Sequence, residues 1–194
     1  MARTKEFDPE AALQSALELF WQRGYEATSM ADLVEHLGIG RASIYATFGN
    51  KHELYLKALD RYNETHDSGL LCELSQPGPA LSAVRTVVRR FAAEASSKGP
   101  RSKGCFVTNT ANELGPHDTA AARRVEASWD HIETLLRSAL TRARAQGELP
   151  ADRDPRALAR MLLVLMQGLR VVGKASNDPG RVRDAAEQAL RLLD

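Results

Sequence analysis

The 194-residue chain is poor in cysteine, with only Cys72 and Cys105. They form no CxxC pair and have no zinc-like spacing, so neither a disulfide scaffold nor a structural zinc site is expected. Long apolar runs are also missing. The longest, Met161–Leu169, is broken by Gln167 and followed by Arg170, far short of the roughly 18 residues of a membrane span. The opening MARTKEFDPE lacks the apolar stretch of a secretory signal. Together these absences predict a cytoplasmic protein with free thiols and no membrane partner.

Catalytic patterns are missing as well. The five histidines (His36, His52, His66, His117, His131) form no HxxxH or HExxH pair, so no metal is expected. Neither a nucleophile elbow nor a Ser/His/Asp order is visible. No cofactor motif appears; the GIG at residues 38–40 follows no strand and has no lysine at phosphate-loop spacing. The expectation is a protein that is not an enzyme. A charge excess of one sign is also lacking. Formal net charge is +1, and residues 1–62 carry 7 Lys/Arg against 9 Asp/Glu, a net of −2. Any nucleic-acid role must therefore rest on local patterning.

What the sequence does have is helical periodicity from end to end, with no period-two alternation. The predicted class is all-α. Asp8-Pro9-Glu10 opens a first helix, with Ala12, Leu13, Ala16, Leu17 and Phe20 on one face and Gly24 as its stop. A second helix starts near Thr28 or Ser29, with Asp32 at capping-box spacing from Ser29, and stops at Gly38. A third covers Gly40 to Phe48, and Asn50 caps a fourth. SQPGP (75–79) breaks the chain. Further helices are expected at about 79–97, 105–114, 117–146, 155–174 and 179–193, with a mobile basic loop at Ser96–Gly104.

LGIGRASIYATFGNK (residues 37–51) carries the functional signal. Two short helices meet at Gly38, the spacing of a helix-turn-helix. Ile39 fills the angle between them, and Ile44 and Phe48 pin the third helix to the core. Arg41, Ala42, Ser43, Tyr45 and Thr47 are left on its outer faces. A guanidinium in the first turn can pair bidentately with guanine; the Tyr45 and Thr47 hydroxyls and the Lys51 ammonium suit phosphates. Thr28, Ser29 and the amides at the start of the second helix form a second phosphate clamp. From His36 to His52, 17 residues pass without one acid. The alternative is a plain helical corner in a ligand-binding or protein-interaction module that does not touch DNA.

Phe20–Leu59 closely resembles the DNA-binding domain of the TetR family of transcriptional regulators. The resemblance rests on Phe20, Gly24-Tyr25, Thr28-Ser29, Gly38-Ile39, Ile44-Tyr45, Phe48, Lys51 and Leu54. It implies about nine helices and a homodimer on a palindromic double-stranded DNA operator, usually a repressor released by a small-molecule effector. It further implies that Arg41, Ser43, Tyr45 and Thr47 touch bases or phosphates and that Lys51 contacts phosphate. Gly40, Val34 and Thr47 stand where Ser, Ala and His are frequent in the family.

On this basis residues 1–50 are the DNA-binding domain, joined through a helix at 50–74 to a ligand-binding and dimerisation domain at 51–194. The helix at 155–174 is apolar on more than one face. With its successor it is expected to supply the dimer interface through Leu158, Leu162, Leu165, Leu169, Val182, Ala186, Ala189 and Leu193. Candidate effector-lining residues are Phe91, Phe106, Asn109, Trp129, Met161, Met166 and Gln167, a mix suited to a small, largely apolar ligand. Cys105 follows a basic loop and opens a helix, surroundings that favour a reactive thiol. The KGCF…N stretch is similar to a TetR sub-group that includes thiol sensors, which makes Cys105 a candidate sensor.

Overall fold

The computed structural model describes residues 7–97 and 103–194. The basic stretch at 98–102 lies outside the described residues. Among the described residues there are nine helices and no strand: α1 (Pro9–Arg23), α2 (Met30–Leu37), α3 (Arg41–Phe48), α4 (Lys51–Ser75), α5 (Ala80–Ser96), α6 (Phe106–Glu113), α7 (Thr119–Ala145), α8 (Pro155–Ala175) and α9 (Pro179–Arg191). None of them is long and apolar enough to cross a membrane.

The ends follow local chemistry. Asp8, Asn50, Asp118, Asp154 and Asp178 each accept backbone N–H bonds at the start of a helix, satisfying amides that have no intrahelical partner. Ser29 and Asp32 complete a capping box on α2. Gly38 ends α2 at φ 65°, ψ 21°, the left-handed region where a Cβ is disfavoured. That single residue turns the chain from α2 into α3.

Two apolar clusters organise the molecule. One joins α1–α4 and also takes in Phe106, Val107 and Leu114 of α6 and its flank, and Ala121 and Val125 of α7. The head therefore shares its core with the start of the C-terminal part, and residue 50 marks no break in packing. The second cluster joins the end of α4 with α5, α7, α8 and α9. Here Gly173 lets α8 approach α5 closely: a Cβ built at Gly173 would lie 2.2 Å from the Ala95 carbonyl oxygen.

The dimer-interface expectation needs correction. Leu162, Leu169, Val182, Ala186 and Leu193 are at most 3% exposed within a single chain. They lie in the cluster shared by α5, α7, α8 and α9, so a partner cannot reach them; Leu158, Leu165 and Ala189 are half-buried. The free apolar stripe is the opposite face. Val164 (71%), Val171 (45%) and Val172 (40%) on α8, with Leu192 (49%) just past α9, are exposed. Gly168, Ala185 and Gln188 lie on the same helical rows and are also exposed. Periodicity showed that α8 had two apolar faces without showing which one the chain fills itself.

Candidate DNA-binding face and effector cavity

The outer face of α3 is built as its spacing requires. Ile44 (0% exposed) and Phe48 (4%) hold the helix to the head. Arg41, Ala42, Ser43 and Tyr45 are exposed and Thr47 is half-exposed. The Arg41 guanidinium lies 5.8 Å from the centre of the Tyr45 ring, and Arg41 enters no ion pair among the described residues. Its donors are free for an incoming acceptor.

The second clamp is arranged differently from the expectation. Thr28 is fully buried, and its hydroxyl donates to the Gly24 carbonyl at 2.6 Å. Ser29 is exposed, but its hydroxyl and backbone N–H both donate to Asp32. Those bonds, with Arg23 2.8 Å away, hold the Asp32 carboxyl below its usual range. Lys51 is half-buried and turned inward. Its Nζ donates to the carbonyls of Tyr25 (2.9 Å) and Thr28 (3.0 Å) and lies 4.0 Å from the Tyr25 ring centre. Lys51 and Thr28 thus shape the α1–α2 turn that presents α2; neither side chain points to an open phosphate site. A sequence shows that a lysine is near, but not that nearby carbonyls have claimed it.

Side chains that the sequence did not single out tie this head to the rest of the chain. Glu113, the last residue of α6, accepts the backbone N–H groups of Tyr25 (3.0 Å) and Glu26 (2.9 Å). His52 on α4 pairs with Asp118, the cap of α7. Burial pushes the Asp118 carboxyl up, but the Ala121 amide and the His52 ring outweigh it, and the net shift is downward. The buried Tyr55 hydroxyl lies 2.8 Å from that of Thr110 on α6, and burial raises its pKa.

At the other end of α6 lies a cavity of about 220 Å³ between α4, α5, α7 and α8. Of the expected lining residues, Phe91, Trp129 and Gln167 border it, as does Cys105. The other four do not. Phe106 packs edge-on against Tyr55 and Tyr62 in the head core. Asn109 bonds the Lys103 carbonyl and accepts from Lys174. Met166 is fully buried, and Met161 packs half-buried against the α5–α9 cluster. The helical pattern shows which residues point inward, but not where the interior is left empty.

Cys105 is 3% exposed and receives the Arg170 guanidinium, with Nη1 2.8 Å from Sγ. The Tyr62 hydroxyl donates to the same sulfur at 3.7 Å; burial, then the neighbouring Cys105, keeps that phenol protonated well above its usual range. The positive charge at this thiol therefore comes from α8, where Arg170 interrupts an apolar helix. That interruption was the signal available in the sequence. Among the described residues no group of three or more His, Cys, Asp or Glu could hold a metal.

Comparisons with known proteins agree with this architecture. Residues 12–58 match the model for bacterial regulatory proteins of the tetR family, and residues 80–190 match a tetracyclin repressor-like C-terminal domain. The HTH-type transcriptional regulator YezE of Bacillus subtilis (strain 168), itself uncharacterised, is 37% identical over 100% of both chains. The HTH-type transcriptional repressor ComR of Escherichia coli (strain K12) is 34% identical over 98% of this chain and 90% of its own. A cysteine mutant of the TetR family transcriptional regulator CifR, complexed with 26-bp double-strand operator DNA, superposes over 100% of both chains with a TM-score of 0.85 and 32% identity. With a helix-turn-helix head, an all-helical C-terminal part and full-length relatives of this kind, the chain belongs to the TetR family of DNA-binding transcriptional regulators.

Proposed function

We propose that the chain is a cytoplasmic repressor that binds a palindromic operator as a homodimer and lets go when a small molecule enters the cavity. The observation that carries the DNA half is the outer face of α3, where Arg41 enters no ion pair among the described residues on a helix that lacks any acid. The operator complex of CifR and the repressor description of ComR support the same reading by similarity. The relatives matched over the full chain are regulators, and no catalytic constellation argues for an enzyme.

Release is supported by α6. Its first turn borders the cavity through Val107, and Thr108 donates at 2.7 Å to Gln167, which lines the cavity. Its last residue, Glu113, holds the α1–α2 turn. A ligand that shifts α6 therefore shifts the turn that positions the reading helix. DNA and ligand then favour different conformers, and each weakens the binding of the other.

Cys105 supports a second input. A soft electrophile such as N-ethylmaleimide would add its activated double bond across the thiol: a C–S bond forms and the thiol proton ends on the adjacent carbon. The bulk added would enter the same cavity.

A reporter tests the repressor reading. With an operator selected from genomic fragments placed over the promoter, the wild-type protein should lower output. Arg41→Ala should weaken specific binding by about 1–3 kcal/mol if Arg41 pairs a base, and so restore output. Output that rises with the protein would make it an activator; an unchanged Arg41→Ala would remove Arg41 from base reading.

A further inference from the structure

We infer that the cavity is a receptor for a small organic monocarboxylate, with Arg170 as its counter-ion. The inference rests on reading this cavity as the effector site, and extends it to a ligand chemistry.

Arg170 is the central observation. It follows Leu169 on an otherwise apolar stretch of α8, with its guanidinium 4.3 Å from the Phe91 ring centre. Its hydrogen bond among the described residues goes to Cys105 Sγ, and it forms no ion pair there. A thiol is a weak acceptor, whereas a guanidinium has five donors. The other arginine on the cavity wall differs in this respect. Arg90 is held by Glu73 at 3.1 Å and by Glu94 at 2.6 Å, so Glu94, the one carboxylate among the described residues of the lining, is already neutralised.

Two further donors on the same wall lack acceptors among the described residues. Trp129 Nε1 and Gln167 Nε2 are buried and unpaired. The Gln167 amide is oriented by Thr108, whose hydroxyl donates to its Oε1 at 2.7 Å, leaving the NH₂ end for another partner. Buried donors without acceptors are rare in folded proteins, because each loses its water without replacement. One cation and two neutral donors on residues that line one space favour a group rich in acceptors and negatively charged. A carboxylate meets that demand, and guanidinium pairs with it bidentately.

The remaining lining sets the tail. Phe91, Val107 and Ile132 offer apolar surface, which suits an aliphatic or aromatic body better than a strongly hydrated inorganic anion. The buried Asn63 Oδ1, also unpaired, could accept from a hydroxyl on that body. At about 220 Å³ the space equals about seven water volumes, which holds a small acid but not a drug-sized ligand.

Titration calorimetry on the full-length dimer tests this with butyrate, benzoate and 4-hydroxybenzoate, each beside its primary amide. At least one acid should bind, and its amide should bind more weakly by about tenfold or more, the loss of one charge-assisted bond. Arg170→Gln should weaken that acid by about ten- to a hundredfold. Trp129→Phe, which keeps Arg170 and an aromatic ring, should weaken it by a smaller factor and decides the matter if Arg170→Gln does not fold. No binding by any acid, amides as tight as acids, or wild-type affinity in the folded variants would overturn the inference. Labelled operator in the same samples separates the two readings. An acid that binds through Arg170 without releasing DNA supports the carboxylate site and removes its effector role. Release by an amide alone supports the effector role and overturns the carboxylate site.

Discussion

At the scale of single residues, the largest revision concerns Lys51. A lysine beside a recognition helix suggests a phosphate contact, yet its ammonium bonds the carbonyls of Tyr25 and Thr28 and covers the Tyr25 ring. Lys51→Met should therefore cost about 1–2 kcal/mol of folding stability, measured by denaturant melts. It should weaken operator and random DNA alike while leaving the salt dependence of binding unchanged. A salt slope that falls by about one would return Lys51 to the phosphate contacts. The α3 face was fully legible in the sequence, because Ile44 and Phe48 fix its phase and the outer residues follow. The roles of Lys51 and Arg170 were not, because each depends on a partner distant in sequence, Tyr25 or Cys105; Thr28 turns inward to the Gly24 carbonyl only four residues back.

At the scale of elements, helix ends were the most readable feature. Asp8, Ser29, Asn50, Asp154 and Asp178 cap as their sequence contexts suggest, because capping needs only neighbours in sequence; α7, expected from about 117, starts after its cap Asp118. The phase of α8 against α9 needed tertiary packing, since an apolar helix can bury either side. Asp118 works at both levels, capping α7 and pairing with His52 on α4. Its carboxyl is depressed in the folded chain, so the stability it adds is present above the unfolded carboxylate pKa of about 3.9 and is lost as pH falls below that. Denaturant midpoints should drop on acidification below about pH 4, and Asp118→Asn should flatten that drop. An equal drop in the variant would place the acid-sensitive contact elsewhere.

At the scale of the whole molecule, the exposed stripe of Val164, Val171, Val172 and Leu192 needs a cover. We propose that a second copy covers it in the dimer, so that two heads on one assembly match two half-sites on DNA. Val164→Arg should give a folded monomer by light scattering, with α1–α9 intact by circular dichroism, because the side chain is 71% exposed in the single chain. A dimer that persists would move the interface to another face.

In the reading proposed above, two α3 helices of one dimer read one twofold site. Footprinting on a genomic fragment selected by the purified protein tests it most directly. Two inverted half-sites should be protected with one dimer bound, their centres one helical turn (about 34–36 Å) or a multiple apart. Protection should be lost with Arg41→Ala. A single unrepeated protected site, or no sequence enriched over random DNA, would contradict it.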